Sequence, residues 1–429
     1  MNDRPNDWLF EPLSNFVKDM GDGGTPSRAV DKNFGGDVPW VVISDFKREI
    51  DETAEHLTST GFSRCTAKLW PQDTVILSTG ATIGKVGIAM VPLATKQGIT
   101  GLVPNERITS RFLYYKLLSK KQQLNAWSQG STFAEIRVPI LSKIPFEVPK
   151  EKVLQETISD ILESADQTIE KTETLIEKYQ QIKAGLMHDL FTRGIDPDGK
   201  LRPPREEAPQ LYQETAIGWI PTEWGVDEFG INVDVIDPNP SHRYPPEVDE
   251  GFPICSTENF VGEDGFNFDR SKRVPWSIYT DQNLRCRFKA LDVVFARKGK
   301  IGMARRYGEE EKVFSHTVVL MKPSNEKVDP FWLLWLARSD WFLGGIDITM
   351  NTNSGVPTLG VDFIKSVSVP FPQPEEQCFM AKLLDIASSN IAIEIERKEK
   401  LVKQRSGLMH DLLTGKVQVK SDLREVAND

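Results

Sequence analysis

The side chains with the clearest capacity for chemistry are basic, and they are concentrated in one short stretch. Between residues 285 and 306, eight basic residues stand against one acidic residue, Asp292, which gives this stretch a formal charge of +7. Lys and Arg grip phosphates, and Arg also reads guanine edges in the major groove of DNA. Gly299 and Gly302 allow close approach of the backbone. We therefore predict a DNA-contacting surface that contains Arg285, Arg287, Arg297, Lys298, Lys300, Arg305 and Arg306.

A weaker basic cluster lies in the first 150 residues, where six basic residues between positions 96 and 121 face only Glu106. To a second DNA-contacting surface we assign Arg64, Thr79, Lys85, Lys96, Arg107, Arg111 and Lys116. The ordinary alternative for both clusters is a solvated surface. The chain as a whole has 52 basic and 62 acidic residues, and its net charge of −10 taken alone argues against a nucleic-acid binder. The clusters predict instead that positive potential is confined to two patches.

Several short sequence patterns resemble catalytic motifs but lack a required residue or spacing. Gly80 to Lys85 has three residues between its glycines where a phosphate-binding loop needs four, and Val86 replaces the required Ser or Thr. Asp237-Pro238-Asn239-Pro240 has the wrong order for the motif of amino-methyltransferases, which favours a proline-rich turn. The five His residues show no metal-binding spacing, and the four scattered Cys residues form no Cys-x-x-Cys pair. We predict neither a catalytic centre nor a metal in this chain.

An internal repeat indicates which elements must position the basic residues. Gly185-Leu186-Met187-His188-Asp189-Leu190 recurs 222 residues later as Gly407-Leu408-Met409-His410-Asp411-Leu412. The register holds upstream without a gap, since Gln155 matches Gln377 and Leu162 matches Leu384. We predict that these two hexapeptides bind a partner. For His188 and His410, each beside an Asp, a duplicated catalytic role is conceivable, but a docking surface or a helix-end cap is favoured, because cations are favoured near helix C termini.

Each hexapeptide closes a predicted long helix, over residues 151–195 and 373–415. The first has a heptad seam at Leu154, Ile158, Ile161, Ala165, Thr168, Thr172, Leu175, Tyr179, Ile182 and Leu186. The second has a less regular stripe at Met380, Leu384, Ala387, Ile391, Ile395, Val402 and Met409. A helix of about 40 residues is about 60 Å long, which exceeds the side of a 150-residue globule. Packing of the two helices together as a coiled coil is therefore favoured over packing of each on its own domain.

The segment that precedes each long helix differs from the helices in composition. Residues 1–150 and 221–372 are rich in Gly, Pro and short β-prone runs, which predicts two mixed α+β globules in a pseudo-two-fold repeat. Residues 196–220 are polar and Pro-rich, which is typical of a linker or a surface-hugging connection, and residues 416–429 form a tail. No apolar run approaches the length of a membrane span, and no secretory signal is visible, so we expect a cytoplasmic protein without a membrane partner.

Two different globules alternating with two similar long helices, each closed by Gly-Leu-Met-His-Asp-Leu, resemble the specificity subunit of a Type I restriction-modification system. Gly24-Thr25-Pro26-Ser27 and Ile217-Gly218-Trp219-Ile220-Pro221 add to the resemblance, which covers essentially the whole chain; no counterpart of Ile217–Pro221 precedes Trp8. The resemblance implies that each globule is a target-recognition domain for one half of a bipartite, asymmetric site in double-stranded DNA. It also implies that the helices form an antiparallel coiled coil, which sets the gap between half-sites.

The resemblance further implies which chemistry lies on partner subunits. Two modification subunits would methylate adenine N6 with S-adenosylmethionine, after the base is flipped from the duplex. Restriction subunits would add translocation and cleavage with ATP and Mg²⁺, for host defence. This chain would be non-catalytic and without a cofactor, and the acidic segment 151–195 would face protein partners. Two alternatives stay open: a single chain that both recognises and methylates DNA, and a coiled-coil scaffold with two protein-interaction domains.

Overall fold

The computed structural model describes residues 7–128, 135–243, 245–347 and 358–419, and the chain divides into two compact units. Unit 1 consists of Met1–Thr174 and Glu396–Asp429, whereas unit 2 consists of Leu175–Ile395. Each unit therefore combines one globule with the first part of one long helix and the last part of the other.

Unit 1 has a mixed α+β fold, whose strands and short helices precede the first long helix in sequence. Its strands are β1 (Trp8–Pro12), β2 (Val17–Asp22), β3 (Phe34–Val41), β4 (Glu49–Ile50), β5 (Glu55–Leu57), β6 (Leu69–Trp70), β7 (Val75–Ser78), β8 (Val86–Ala89), β9 (Leu93–Thr95), β10 (Ile99–Pro104) and β11 (Pro145–Pro149). Its short helices are α1 (Ser59–Ser63), α2 (Ser110–Ser119), α3 (Lys121–Ala126) and α4 (Val138–Leu141).

The strands of unit 1 form a five-stranded sheet, β2-β10-β7-β8-β4, and a four-stranded sheet, β5-β3-β9-β6. β7 and β8 are buried along their whole length, which fits short apolar runs that face packed elements on both sides. α2 packs against β7 and β8 and buries Phe112 and Leu113, and β1 pairs antiparallel with β11 beside the start of the long helix. The central sheet thus lies under α2, and its turns stay available at the sheet edge.

Unit 2 is also mixed α+β. Its strands are β12 (Tyr212–Thr215), β13 (Gly218–Pro221), β14 (Gly225–Glu228), β15 (Val233–Ile236), β16 (Phe252–Cys255), β17 (Phe260–Val261), β18 (Gly265–Phe266), β19 (Arg273–Val274), β20 (Val293–Ala296), β21 (Ala304–Arg306), β22 (Val313–Phe314), β23 (Val318–Pro323) and β24 (Ser368–Phe371). Its short helices are α6 (Phe229–Asn232), α7 (Trp276–Cys286), α8 (Pro330–Ala337), α9 (Asp340–Asp347) and α10 (Val361–Ser366).

The central sheet of unit 2 repeats that of unit 1. The order β15-β23-β20-β21 corresponds to β2-β10-β7-β8, with all neighbours antiparallel in both. The parallel pair β3–β9 recurs as β16–β22, and β1–β11 recurs as β14–β24. α8 stands where α2 stands and buries Trp332, Leu333 and Trp335. The prediction of an α+β fold in a two-fold repeat is therefore confirmed.

The two long helices are α5 (Lys152–Thr192) and α11 (Pro374–Leu413), and we refer to them as the central helix and the C-terminal helix. Within unit 1, Arg405 Nε donates to Asp166 at 2.7 Å, and Lys398 pairs with Glu173 at 2.8 Å. Positions further along the central helix thus meet earlier positions of the C-terminal helix, so the helices are antiparallel neighbours there. A regular supercoil over their full length stays a prediction.

The buried stripe of the central helix departs from the predicted seam. Ile158 and Thr172 are buried, but Thr168 is exposed and Ile182 is 51% exposed, whereas Leu162, Ile176 and Leu190 are buried. An α-helix drifts by about 20° per heptad relative to a strict 3.5-residue repeat, which turns late seam positions outward. In the C-terminal helix, Ile395 and Val402 of the predicted stripe are likewise exposed, while Met380, Leu384, Ile391 and Met409 are buried.

The connection between the halves is folded onto unit 2. β12 and β13 pair as a hairpin within residues 196–220. Arg202 is 6% exposed and donates to both carboxylate oxygens of Glu376, at 2.5 and 3.2 Å, while Trp224 Nε1 donates to the same carboxylate at 3.0 Å. A buried ion pair with further hydrogen bonds ties the connection to the first turn of the C-terminal helix.

Candidate nucleic-acid interface

The same glycine turn occurs in both central sheets. It joins β7 to β8 in unit 1 and β20 to β21 in unit 2. Gly84 and Gly302 both have φ +90°, and their N–H groups donate to Ser78 O at 3.0 Å and to Ala296 O at 3.2 Å. This backbone region favours glycine because a Cβ would clash there. The short similarity between Thr82–Lys85 and Lys300–Met303 therefore marks one equivalent turn in each unit.

Backbone hydrogen bonds extend the equivalence to neighbouring loops. The N–H groups of Thr79 and Gly80 donate to Gly98 O, both at 2.9 Å, and Thr79 O accepts from Ile136 at 2.8 Å. In unit 2 the same backbone bonds recur with other residues. Arg297 and Lys298 donate to Thr317 O at 3.0 and 3.2 Å, and Arg297 O accepts from Leu359 at 2.9 Å. Thr79 and Arg297 thus occupy equivalent backbone positions.

We call these turns and their neighbours the loop cluster of each unit. In unit 1 it comprises residues 22–28, 79–85 and 96–98, and in unit 2 it comprises residues 237–243, 297–302 and 315–317. Both loop clusters follow the ends of equivalent strands, and Asp22 and Asp237 stand at corresponding ends of β2 and β15. The fold therefore presents a pair of equivalent surfaces whose side chains differ.

The loop cluster of unit 2 is built around a buried arginine. The Arg297 side chain is 5% exposed, and its Nη2 donates to Asp237 Oδ2 at 2.6 Å, while its Nε donates to His316 O at 2.9 Å. His242 Nε2 lies 3.2 Å from the same Asp237 oxygen, and its ring stacks on His316 with centroids 5.4 Å apart. Arg297 thereby holds two loops in place, and exposed His242 lies above them.

The electrostatics of this loop cluster are positive. Burial lowers the pKa of His316, and the nearby cations Lys298 and Arg297 add to that shift. Lys298 is half-buried and Lys300 is exposed on the glycine turn. Arg285 is exposed at the end of α7 and donates to Pro238 O in the neighbouring loop. Positive charge that is both exposed and attached to rigid elements suits contact with phosphate groups.

The loop cluster of unit 1 is mostly neutral and polar. Thr79 Oγ1 lies 3.0 Å from Thr100 Oγ1, and Gly98 N donates to Asp22 Oδ1 at 3.1 Å. Burial raises the pKa of Asp22, although backbone N–H groups oppose the shift. Lys85 Nζ donates to Ile43 O at 3.1 Å, and Lys96 is half-buried. Arg28 of this loop cluster pairs with Glu55 at 2.5 Å, so part of its positive charge is neutralised, whereas Lys300 of unit 2 is exposed on the glycine turn.

Of the residues predicted in unit 2, the loop cluster and its border contain Arg285, Arg297, Lys298 and Lys300. Arg287 is exposed at the C-terminal end of α7. Arg305 is 1% exposed, because its guanidinium donates to the carbonyls of Val261, Gly262 and Gly265. Arg306 pairs with Asp385 on the C-terminal helix at 2.9 Å. The last two arginines thus serve packing inside unit 2.

Of the residues predicted in unit 1, the loop cluster contains Thr79, Lys85 and Lys96, and Arg64 is exposed at the end of α1. The others contact carboxylates of the protein itself. Arg107 pairs with Glu11 at 2.5 Å, and Arg111 pairs with Glu156, Asp160 and Glu163 of the central helix. Ion pairs within unit 1 therefore neutralise part of the acidic charge of the central helix.

Lys116 is the most buried of these cations, at 2% exposure. It pairs with Glu147 at 2.8 Å and donates to Leu413 O at the end of the C-terminal helix. Burial lowers the pKa of Lys116 to about 8, although Glu147 opposes the shift. Lys116 thus attaches the helix end to the globule.

Sequence reasoning missed several members of the loop clusters, among them Asp22, Gln97, Asp237, His242, His316 and Thr317. None of them belongs to a basic run, so charge density gave no signal. A signal was present in the repeat, because the Ile-Gly pair of each glycine turn fixes which residues are equivalent. Extending that alignment by a few residues on either side would have reached Thr79 and Arg297 as a pair.

The repeated hexapeptides each line a cavity. In unit 2, Met187 and His188 line a cavity of about 450 Å³, and in unit 1, Met409 and His410 line one of about 660 Å³. Leu190 and Leu412 are buried in the cores, whereas both histidines are exposed. The hexapeptides thus combine core packing on one face with an open cavity wall on the other.

Within the described ranges no cluster of three or more His, Cys, Asp or Glu side chains is arranged to hold a metal ion. In the same part of the chain, no helix combines the length and apolar character needed to cross a membrane.

Comparison with known proteins gives a consistent result. The family model described as Type I restriction modification DNA specificity domain matches residues 5–181 and 250–403. The MjaIX specificity subunit of Methanocaldococcus jannaschii is 30% identical over 53% of this chain, and the match spans about half (51%) of that relative. The MjaVIII specificity subunit of the same organism is 23% identical over 97% of this chain and 94% of its own length.

Solved structures show the same fold. The S subunit of a Type I restriction-modification system from M. genitalium matches with a TM-score of 0.58 at 16% identity, covering 98% of both chains. A chain from a structural study of assembly and conformational transition in the type I R-M system matches with a TM-score of 0.59 at 14% identity. That second match covers 97% of this chain and 100% of the other.

Proposed function

Because the chain belongs to the Type I restriction-modification DNA specificity family, we propose that it recognises a bipartite, asymmetric DNA sequence on behalf of a restriction-modification complex. Each unit reads one half-site with its loop cluster. One observation carries the proposal: the glycine turn and its backbone hydrogen bonds are the same in both units, but the side chains on them differ, with Thr79 in one unit and Arg297 in the other. A constant frame with unlike side chains suits two unlike half-sites.

The two loop clusters would read DNA by different chemistry. In unit 2, Arg285, Lys298 and Lys300 contact phosphates, Arg297 keeps the loops in position, and His242 contacts base edges. In unit 1, the neutral side chains Thr82 and Gln97 face the bases, and Lys85 and Lys96 contact phosphates. Unit 2 should therefore supply more of the salt-dependent part of the affinity, since that part follows the number of phosphates neutralised.

The catalytic steps would belong to partner subunits. Two modification subunits dock on the two hexapeptides and methylate adenine at N6, and they bring the S-adenosylmethionine. Restriction subunits complete the complex and use ATP and Mg²⁺. The role of this chain is to bring those subunits to the correct sequence, and none of its own residues takes part in bond making or breaking.

Charge reversal on the glycine turn of unit 2 tests the DNA-binding role. We expect Lys298→Glu with Lys300→Glu to weaken binding of a duplex that contains the target site by about 100-fold, because two phosphate contacts become repulsive. The slope of log affinity against log salt should fall by about two. Both quantities are measured by fluorescence anisotropy over a range of salt concentrations.

The matched control is Lys200→Glu with Lys327→Glu, which makes the same charge change at two exposed positions of unit 2 outside the loop cluster. The control should lose less than about threefold in affinity. Equal losses in the two double variants would show that the effect comes from net charge alone, and would contradict the assignment of the loop cluster as the DNA-contacting surface. Absence of any duplex binding would favour a protein scaffold, and binding of labelled S-adenosylmethionine by the purified chain would favour a combined methyltransferase.

A further inference from the structure

The two cavities lined by the repeated hexapeptides have the same helical wall. Ala184, Met187, His188, Phe191 and Thr192 line the cavity of unit 2. The residues 222 positions later, which are Ser406, Met409, His410, Leu413 and Thr414, all line the cavity of unit 1. Three of these five pairs are identical. A wall repeated with this fidelity indicates that one kind of partner element contacts both cavities.

The opposite walls can be aligned by a shared hydrogen bond. Ser119 Oγ donates to Lys116 O at 2.7 Å at the C-terminal end of α2, and Ser339 Oγ donates to Leu336 O at 2.7 Å just after α8. The two residues that follow each serine line the cavities. They are Lys120 and Lys121 in unit 1 but Asp340 and Trp341 in unit 2. One wall is therefore cationic, and its equivalent is acidic and aromatic.

The complete linings extend this contrast. Four basic residues and one acidic residue line the cavity of unit 1, namely Lys116, Lys120, Lys121, Arg405 and Glu147. One basic and one acidic residue, Arg338 and Asp340, line the cavity of unit 2, where Phe191 and Trp341 add aromatic surface. Trp341 is also fixed in position, because its Nε1 donates to Phe191 O at 2.6 Å. Glu147 pairs with Lys116 and Lys120, and Arg405 pairs with Asp166, so exposed Lys121 is the cation of the first cavity that favours a carboxylate from a partner. The second cavity favours an apolar group.

We infer that the two docking sites for the repeated partner are chemically unequal, so that one copy binds mainly through charge and the other mainly through apolar burial. The partner element has an apolar side chain beside an acidic one. The apolar side chain contacts the common helical wall, and the acidic side chain meets Lys121 in unit 1. In unit 2 Trp341 occupies the position of Lys121, so it offers apolar contact in place of the cation, and Asp340 beside it repels the same acidic side chain. This inference rests on the proposed docking of two identical modification subunits.

The test is a titration of the full-length chain with the purified modification subunit, followed by sedimentation velocity at about 50 mM and about 500 mM salt. We expect two copies to bind at low salt. At high salt one site should weaken by about tenfold and the other by less than about threefold, since screening acts on exposed charge and hardly on apolar contact. Complexes with one copy should therefore accumulate at high salt.

Three variants at exposed or partly exposed positions assign the sites. Lys121→Glu should leave one binding step, without strong salt dependence, whereas the control Lys143→Glu in unit 1 should behave as the wild type. Asp340→Lys should give the second site a salt dependence of its own. Equal salt dependence of both steps in the wild type, or identical behaviour of Lys121→Glu and Lys143→Glu, would overturn the inference while leaving the proposed docking intact. Failure of the modification subunit to bind at either salt concentration would reject the docking and the inference together.

Discussion

At the scale of single residues, two buried glutamines show how the repeat is maintained. Gln155 Oε1 accepts from Thr109 N at 2.8 Å, and its Nε2 donates to Arg107 O at 2.8 Å and Pro149 O at 2.9 Å. One amide thus joins the start of the central helix to the first turn of α2 and to the end of β11. All of its partners are backbone groups, so the contact survives changes of the surrounding side chains.

Gln377 makes the same three bonds in unit 2. Its Oε1 accepts from Asp329 N at 2.8 Å, and its Nε2 donates to Lys327 O at 2.7 Å and Pro372 O at 2.8 Å. The sequence alignment paired these glutamines but could not show what they bind, because backbone partners leave no trace in side-chain identity. Their role became visible only with the fold.

We predict that Gln155→Ala and Gln377→Ala each lower the free energy of unfolding by about 3 kcal/mol, because each leaves buried backbone groups without a partner. The measurement is urea denaturation followed by circular dichroism. Gln181→Ala, at an exposed position of the central helix, is the control and should change the value by less than about 0.5 kcal/mol. Losses no larger than that of the control would show that water or a shifted side chain replaces the bonds.

The basic residues illustrate the limit of sequence reasoning at this scale. Charge density identified Lys298 and Lys300, which are accessible, but it treated Arg305 and Arg306 in the same way. Arg305 donates to backbone carbonyl groups and Arg306 pairs with Asp385, and these partners are all distant in sequence. A run of cations therefore predicts a positive segment, whereas only the fold decides which members reach solvent.

His316 should make the stability of unit 2 depend on pH. Its pKa is lowered by burial, with Lys298, His242 and Arg297 adding to the shift and Asp237 opposing it. A histidine with a lower pKa in the folded state contributes stability that is complete above its unfolded pKa of about 6.5 and is lost as the pH falls below it. The free energy of unfolding should therefore fall more between about pH 7 and pH 5 in the wild type than in His316→Gln. Parallel curves for the two proteins would contradict this role.

At the scale of elements, the long helices are the part that sequence periodicity described best. Segments 151–195 and 373–415 were expected as helices, and the structure has helices at Lys152–Thr192 and Pro374–Leu413. The short strands were harder, because runs of two to four residues carry too few positions to show a period. The turns between them were recognisable only where Gly84 and Gly302 require a positive φ.

The glycines of the hexapeptides give a prediction for the helices. Gly185 and Gly407 lie inside the long helices, and a Cβ added to either would meet nothing within 4 Å in this chain. Since glycine lowers helix stability relative to alanine, Gly185→Ala and Gly407→Ala should each raise the free energy of unfolding by roughly 0.5–1 kcal/mol. If the missing side chain serves close approach of a partner, the same variants should bind the modification subunit about tenfold more weakly.

Thermal unfolding and a pull-down with the modification subunit measure the two effects separately. A gain in stability with unchanged partner binding would remove these glycines from the docking surface. A loss in stability would instead show that the helices need glycine for their own geometry.

At the scale of the whole molecule, the chain combines a constant frame with variable contacts in each of two units. The topology, the glutamine contacts and the backbone of the glycine turns are the same in both units. The side chains of the loop clusters differ, and so do those of the cavity wall opposite the long helix. A net charge of −10 is compatible with DNA binding because the charge is unevenly distributed, with a formal charge of +7 over residues 285–306. Within that stretch, Lys300 is exposed on the glycine turn of unit 2.

This arrangement predicts that recognition is modular. If each unit reads its own half-site, exchange of residues 221–372 for those of a related subunit with a different target should change one half-site. The other half-site should stay, because unit 1 keeps its loop cluster. The gap should also stay, because both long helices are retained.

Modular recognition is decided by a map of methylated adenines in DNA from cells that carry either the wild-type chain or this chimera, each with the same modification subunit. We expect two methylated motifs that share one half-site and the gap length and differ only in the other half-site. A change in both half-sites, or no change in either, would contradict it.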